Sequence, residues 1–334
     1  MNAKKIRLAA LLAAFTMLGT ACQPSAGGSA AKPATKYPEK QITLINAYSP
    51  GGGTDILFRN IDAVSQKLKA FPQSFVIETK TGGNGTVGKA AGVNAKNDGY
   101  TLTVADDGNM YQDLGGEQPF AYNDMTLVAR MVIDYNMVVV RDESPLKTFK
   151  DFVEAGKARP KGVSVAGTTI GGTDQIQLTQ ISRLIGAEYT YTPFNSGGDV
   201  LTNLLGGHVD ASMANPSEVW EQIRAGKVRA LAITGPERLK DLPDVPTLKE
   251  SGVDLVVSQF RGVAGPKNLP ADVVRVLEDG FKKVAESPEW KTEYLDKYQQ
   301  INGFMGSAEF AKYMDEQYKV NETLFRELGL YKKS

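Results

Sequence analysis

The stretch Ser49-Pro50-Gly51-Gly52-Gly53-Thr54-Asp55-Ile56 decides how this chain folds. Before it lies the apolar run Ile42 to Ala47, which reads as a strand. After it Leu57, Ile61, Val64 and Leu68 fall on one face of a helix, so the stretch is a strand-to-helix turn with Thr54 or Asp55 as N-cap. Three consecutive glycines carry no Cβ, so the backbone there can bend sharply and approach a ligand closely, while the first helical N–H groups stay unpaired. Such a helix start binds an anion without a basic side chain. No Gly-Lys-Ser or Gly-Lys-Thr follows, which argues against a nucleotide phosphate loop. A single turn of this kind can equally be no more than a turn.

The same design recurs downstream. Gly162 to Ala166 reads as a strand, followed by Thr168-Thr169-Ile170-Gly171-Gly172-Thr173-Asp174 and a helix with Ile176, Ile181, Leu184 and Ile185 on its apolar side. Tyr189 to Thr192 is another strand, followed by Asn195-Ser196-Gly197-Gly198-Asp199 and a helix through Val200, Leu201, Leu204 and Leu205. Three glycine-rich helix starts in two successive α/β units point to loops that meet across a cleft. The candidate ligand-binding residues are therefore Ser49, Gly51, Gly52, Gly53, Thr54 and Asp55, then Thr168, Thr169, Gly171, Gly172 and Thr173, then Asn195, Ser196, Gly197, Gly198 and Asp199. Within them Asp55 and Asp199 read as caps, and Arg59, four residues after Asp55, as its intrahelical ion-pair partner. Asp107 and Asn109, at the end of a strand from Tyr100 to Ala105, face the same side and are candidates too, with a turn as the competing role. Asn215, after a strand from Val209 to Met213, is a further candidate of that kind.

Between these landmarks, Ser74 to Thr79 reads as a strand, 80 to 86 as another glycine-rich loop and Val87 to Ala95 as a short helix. Leu127 to Ile133 and Tyr135 to Arg141 are β-rich runs, the second leading into a helix around Phe149 to Lys157, and Val228 to Thr234 is a further strand. Val253 to Ala264 brings the chain back, and Pro270 to Leu328 is helical in pattern, with Val273, Val276, Leu277 and Phe281 on one face. Strands alternating with helices define an α/β protein with parallel sheets, whose ligands gather at the carboxyl ends of the strands. The expected organisation is one domain from 37–141 plus 258–334 and a second from 142–257, joined by two crossings that make a hinge.

At 334 residues the chain has room for two domains, and its 38 basic and 38 acidic side chains give no reason to expect nucleic acid as a partner. Lys4, Lys5 and Arg7 precede an apolar segment from Leu8 to Leu18, which reads as a secretory leader over residues 1–21 and is too short for an ordinary spanning helix. Its removal takes away those three cations and no acid, leaving 35 basic against 38 acidic residues. The only cysteine, Cys22, follows Leu18-Gly19-Thr20-Ala21 and reads as the lipid-attachment residue of an exported, membrane-anchored lipoprotein. Residues 22–36, rich in Ala, Gly, Ser and Pro, read as a flexible stalk.

Nothing in the sequence supports catalysis. His208 is the sole histidine and sits in the turn Gly206-Gly207-His208-Val209-Asp210, and the one thiol belongs to the leader region, which excludes a Cys/His nucleophile. There is no Gly-x-Ser-x-Gly elbow, and Ser144-Pro145-Leu146-Lys147 has the spacing of a Ser-x-x-Lys pair only by coincidence at a helix start. No cluster has zinc spacing, and neither cofactor nor metal is expected.

With these residues in view, the chain from about Tyr37 onward resembles the TctC-type, or Bug-family, receptors of tripartite tricarboxylate transporters. The resemblance is carried by 37–40 (Tyr-Pro-Glu-Lys), 50–55 (Pro-Gly-Gly-Gly-Thr-Asp), 98–102 (Asp-Gly-Tyr-Thr-Leu), 204–210 (Leu-Leu-Gly-Gly-His-Val-Asp), 225–232 (Ala-Gly-Lys-Val-Arg-Ala-Leu-Ala) and 242–252, which opens Leu242-Pro243-Asp244-Val245-Pro246-Thr247. It implies a type II periplasmic-binding-protein fold that holds a small carboxylate between two domains and delivers it, as a monomer, to the membrane subunits of such a transporter. It also implies that 49–55 and 168–173 grip the carboxylate through amides, hydroxyls and water, with 195–199 contributing. A receptor for an ATP-driven importer or a sensor would share the fold and is the competing expectation. Tyr48-Ser49 and Gln259-Phe260 depart from the family's usual residues, which bears on which acid is bound more than on the class.

Overall fold

The computed structural model describes residues 36–333. The leader, Cys22 and the stalk up to residue 35 lie outside the described residues, as does Ser334. Eleven strands are assigned: β1 (Thr43–Asn46), β2 (Val76–Thr79), β3 (Thr101–Asp106), β4 (Met125–Asp134), β5 (Met137–Arg141), β6 (Ser164–Thr168), β7 (Thr190–Phe194), β8 (Ala211–Ala214), β9 (Val228–Ile233), β10 (Gln259–Pro266) and β11 (Ile301–Gly306). The helices are α1 (Gly53–Leu68), α2 (Thr86–Val93), α3 (Gly108–Leu114), α4 (Phe149–Ala158), α5 (Thr173–Ile185), α6 (Gly197–Leu205), α7 (Pro216–Arg224) and α8 (Ala271–Ala285). They are followed by α9 (Pro288–Trp290), a π-helical turn (Lys291–Leu295), α10 (Asp296–Tyr298) and α11 (Ser307–Leu328).

The strands form two sheets. The first runs β11-β4-β10-β3-β1-β2 and the second β7-β6-β8-β5-β9. In the first, β1 lies parallel to β2 and β3, and β10 is antiparallel to both β3 and β4. In the second, β6 lies parallel to β7 and β8, and β5 is antiparallel to β8 and β9. Each sheet thus has a parallel part whose strands feed helices, as strand-then-helix periodicity requires, and an antiparallel part made by the strands that carry the chain across. Because β5 bonds to β8 and β9, residues 137–141, expected with the first domain, belong to the second sheet. The first crossing therefore falls at Tyr135–Asn136, and the chain returns between β9 and β10.

Four apolar clusters cover the sheet faces. On the first sheet, Leu57, Phe58, Ile61 and Val64 of α1 pack with Leu277 and Phe281 of α8 and with Trp290 and Tyr294. Full burial of each such side chain is worth roughly 1.5–3 kcal/mol. The opposite face is closed by Met110 and Leu114 of α3 and by Phe310 and Phe325 of α11, and Ile176 of α5 joins the same cluster. The second sheet buries Phe149, Phe152, Leu178 and Ile181 on one side and Val200, Leu204 and Val219 on the other.

Three local expectations are corrected. The N-cap of α1 is Gly52 in an extended conformation, not Thr54 or Asp55, so the helix begins inside the glycine run. Asp199 likewise lies inside α6, and the cap is Ser196, whose Oγ accepts from the Asp199 N–H at 3.3 Å. The segment from 270 to 328 is not helical throughout. Residues Ile301–Gly306 pair with β4, and a Cβ at Gly303 would lie 2.8 Å from Ile133, so glycine lets this short edge strand close on its neighbour.

Candidate functional site

The first glycine loop is held by its own helix. Asp55 Oδ2 accepts from the Gly51 N–H at 3.0 Å and pairs with Arg59 at 2.9 Å, so the carboxylate organises the loop instead of facing a ligand. The second-sheet loop repeats this device. Asp174, buried at the start of α5, accepts from Thr168 N–H and Oγ1 at 2.7 Å each and from Asn136 Nδ2 at 2.8 Å. Burial pushes the Asp174 pKa up, and the Thr168 and Asn136 donors oppose that rise. Asn136 Oδ1 also accepts from Gln259 Nε2 at 3.0 Å, so one amide at the first crossing ties the second crossing to the loop that opens α5. Beside it Thr169 sits in the left-handed region with φ +51°, a strained conformation for a β-branched residue, with its carbonyl held by the Tyr191 hydroxyl at 3.0 Å.

The three loops meet. A Cβ at Gly52 would lie 3.4 Å from Ser196, and one at Gly198 would lie 3.3 Å from the Pro50 carbonyl. Between them is a cavity of about 50 Å³, several times the roughly 10–15 Å³ needed by one water. Of the candidates, Gly52, Gly53, Thr54, Thr168, Thr169, Gly172, Thr173, Ser196, Gly197 and Asn215 line it. Ser49, Gly51, Asp55, Gly171, Asn195, Gly198 and Asp199 belong to the loops but not to the wall. Asn195 is exposed, and Asp199 accepts from Ser196 Oγ at 3.2 Å. Asp107 and Asn109 also lie off the wall. Buried Asp107 accepts from the Phe260 N–H at 2.8 Å and so fastens the end of β3 to β10, and Asn109 Oδ1 accepts from the Asp106 N–H at 2.9 Å and so fastens α3 to β3.

Six lining residues were not among the candidates: Tyr48, Asp106, Gly108, Glu218, Gln259 and Arg261. Asp106 is clamped by Lys89 Nζ at 2.7 Å and by the Tyr48 hydroxyl at 2.8 Å. A Cβ at Gly85 would lie 2.8 Å from the Tyr48 ring, which explains the glycine loop before α2 as packing for that ring. Arg261 is buried on β10 and ion-paired with buried Asp134. Burial would lower its pKa, but the Asp134 and Glu218 carboxylates more than offset that and keep it a cation. Glu218, from the first turn of α7, accepts from the Gly53 N–H at 2.9 Å and thus links the second sheet's helix to the start of α1. Glu218 left a local signal, since Asn215-Pro216-Ser217-Glu218 has the N-cap, proline and third-position acid of a helix start, and Tyr48 and Gln259 stood out as departures from the family's usual residues. The others come from distant segments that only the fold brings together.

The wall therefore offers first-turn N–H groups of α5, α6 and, beyond Gly53, α1, and the hydroxyls of Thr54, Thr169 and Thr173, while the Ser196 hydroxyl is held by Asp199. Such a set binds an acid through hydrogen bonds to its oxygens. Among the described residues no group of His, Cys, Asp or Glu could hold a metal ion, and no helix is long and apolar enough to cross a membrane. Exposed His208 lies in the turn between α6 and β8, and Lys147 Nζ donates to the Asp142 carbonyl at 2.9 Å.

Two α/β sheets joined by paired crossings, with a polar cavity of helix starts between them, define a solute-binding protein of the periplasmic-binding-protein fold. The family model for tripartite tricarboxylate transporter family receptors, TctC, matches residues 57–330, and the chain belongs to that family, whose members are binding proteins and not enzymes. The protein BugT of Bordetella pertussis is 29% identical over 79% of this chain and 82% of its own. Among solved structures, an R. palustris protein with adipate superposes with a TM-score of 0.82 at 23% identity, covering 88% of this chain and 98% of its own. MatC of Rhodopseudomonas palustris with bound malate superposes with a TM-score of 0.79 at 24% identity, covering 86% and 99%. At these identities both show the fold alone.

Proposed function

We propose that this chain is an exported receptor that binds a small organic acid between its two sheets and hands it to the membrane subunits of a tripartite tricarboxylate-type transporter. On this reading Cys22 carries a lipid that anchors the receptor at the membrane, and the protein acts as a monomer. The observation that carries the reading is the convergence of three helix starts, at Gly53, Thr173 and Gly197, on one cavity lined with hydroxyls. The adipate and malate held by the two R. palustris relatives make dicarboxylates the first class to test. The protein's slight acidity is no obstacle, because helix dipoles and unpaired N–H groups act locally. Each hydrogen bond to a charged oxygen is worth roughly 1.5–3 kcal/mol. A few of them, less the cost of immobilisation, reach the roughly 8 kcal/mol of a micromolar complex. The crossings at 135–136 and before β10 act as the hinge for closure around the acid.

The test is thermal unfolding of the protein, freed of copurified acid, against adipate, malate, citrate and a neutral amino acid. A bound acid at 100 times its dissociation constant adds about 2.7 kcal/mol of stability. A selective upward shift with one or more acids supports the reading. Flat curves with all of them count against it.

A further inference from the structure

The N–H group that opens α1 is not open to a ligand. Glu218 Oε1 accepts from Gly53 N–H at 2.9 Å, and Oε2 lies 3.4 Å from the Asn215 N–H that precedes α7. The same carboxylate stands against the start of α6, since a Cβ on Gly197 would collide with it. One side chain of the protein thus takes the first N–H of α1, where an anion would sit, closes the capping box of its own helix and lies beside the start of α6.

The surrounding charges make this consequential. Facing Glu218 are Arg261 from β10, engaged by Asp134 of β4, and Asp174 at the start of α5, engaged by Thr168 and Asn136. Asp106 of β3, on the same wall, is bound by Lys89 of α2, and Tyr294 comes from the π-helical turn. Lys89 is paired with Asp106, and Arg261, paired with Asp134, also attracts Glu218. Two cations thus stand against the four carboxylates of Asp106, Asp134, Glu218 and Asp174, and among the described residues no Lys, Arg or His nitrogen lies within ion-pair distance of Glu218 or Asp174. A ligand carboxylate entering this wall therefore meets a like charge in a desolvated site, which is the arrangement that makes two acids share one proton.

We propose that a carboxylate ligand binds here together with one proton taken up from solvent by Glu218, which makes Glu218 the residue that sets the pH dependence of binding. The inference rests on the reading of the cavity as an organic-acid site. In the bound state one Glu218 oxygen keeps the Gly53 N–H and the other, now a hydroxyl, donates to the ligand's carboxylate, a short and strong class of hydrogen bond. Burial already raises the Glu218 pKa, and the ligand's charge raises it further.

Titration calorimetry with adipate, malate and citrate, each in two buffers of different ionisation enthalpy, reads the proton directly. The expected result is uptake of about one proton per acid bound, and an affinity that falls up to about tenfold per unit of pH once the free protein's Glu218 is ionised. Glu218→Gln keeps the acceptor for Gly53 and a donor for the ligand, so it binds with no proton uptake and a flat pH profile. Binding by the wild type without proton uptake, or uptake that persists in Glu218→Gln, overturns the inference and leaves the receptor reading standing. Failure of all three acids to bind at any pH overturns both.

Discussion

The guanidinium of Arg261 packs directly against the α-carbon of Gly53: a methyl group there would lie 2.6 Å from Nη2. The third glycine of the opening loop is thus required by an arginine that arrives from β10. Gly53→Ala is expected to destabilise the protein by about 1–3 kcal/mol, the usual cost of overpacking a tight site. Urea denaturation checks this, and an unchanged midpoint at unchanged slope would contradict it.

Removing the arginine tests the other side of the same contact. Arg261→Met leaves Asp134 buried without its cation, a loss of roughly 3–5 kcal/mol. Burial already holds the Asp134 pKa up against the pull of Arg261, and without that pull it rises further. A raised folded-state pKa means stability present at acid pH and lost as pH rises. The deficit of the variant should therefore be larger at neutral pH than near pH 4, about the ordinary range of an aspartate. A deficit independent of pH would show that Asp134 stays ionised without its partner.

Gly52 has space where Gly53 has none, with its nearest neighbours in ordinary contact at 3.4 Å. A valine there leaves the fold intact but pushes toward Ser196, filling the junction of the two loops. Gly52→Val should weaken acid binding at least tenfold, about 1.4 kcal/mol, with the unfolding transition nearly unmoved. Equal affinity in calorimetry would remove this junction from the site.

How much of this was legible in the sequence depends on how local each interaction is. The helix starts at 53, 173 and 197 announce themselves, because glycine, hydroxyl and acid stand within a few residues of one another. The aspartates among them read as caps, but Gly52 and Ser196 hold those positions, and Asp55 instead accepts from the Gly51 N–H of its loop. Asp107 misled for a physical reason: it lies at a strand end facing the cleft in sequence, but its carboxylate is spent on the Phe260 N–H. Arg261 and Asp106 left no trace in their own segments, since their partners are far along the chain, and Gln259 stood out only as a departure from the family's usual residue. The strand at 301–306 was hidden for the same reason, being made by the free edge of β4.

Asp107 offers a cleaner pH test than any wall residue. Burial pushes its pKa well up, so its charge costs stability as pH rises above the ordinary carboxylate range. Asp107→Asn keeps the acceptor for Phe260 and drops the charge. It should match or trail the wild type near pH 4 and gain on it steadily toward pH 8, as read by denaturation at a series of pH values. A constant difference across that range would mean the charge is not felt.

Asp174 is expected to behave as a keystone. Asp174→Ala strands the Thr168 N–H and the Asn136 amide, each costing about 1–3 kcal/mol if left buried and unpaired. It should also lower acid affinity, because the loop carrying Thr169 and Thr173 loses its anchor. Lost stability with intact affinity would separate the loop from binding.

The central claim is that an acid sits between the loop at 52–54 and the loops at 168–173 and 196–197. A crystal structure grown with whichever of adipate, malate or citrate stabilises the protein most tests it directly. The account requires a carboxylate within hydrogen-bond distance of a first-sheet group, Thr54 or its neighbours, and of a second-sheet group among Thr169, Thr173 and Ser196. An acid bound to one sheet's loops alone, or anywhere outside this cavity, would contradict it.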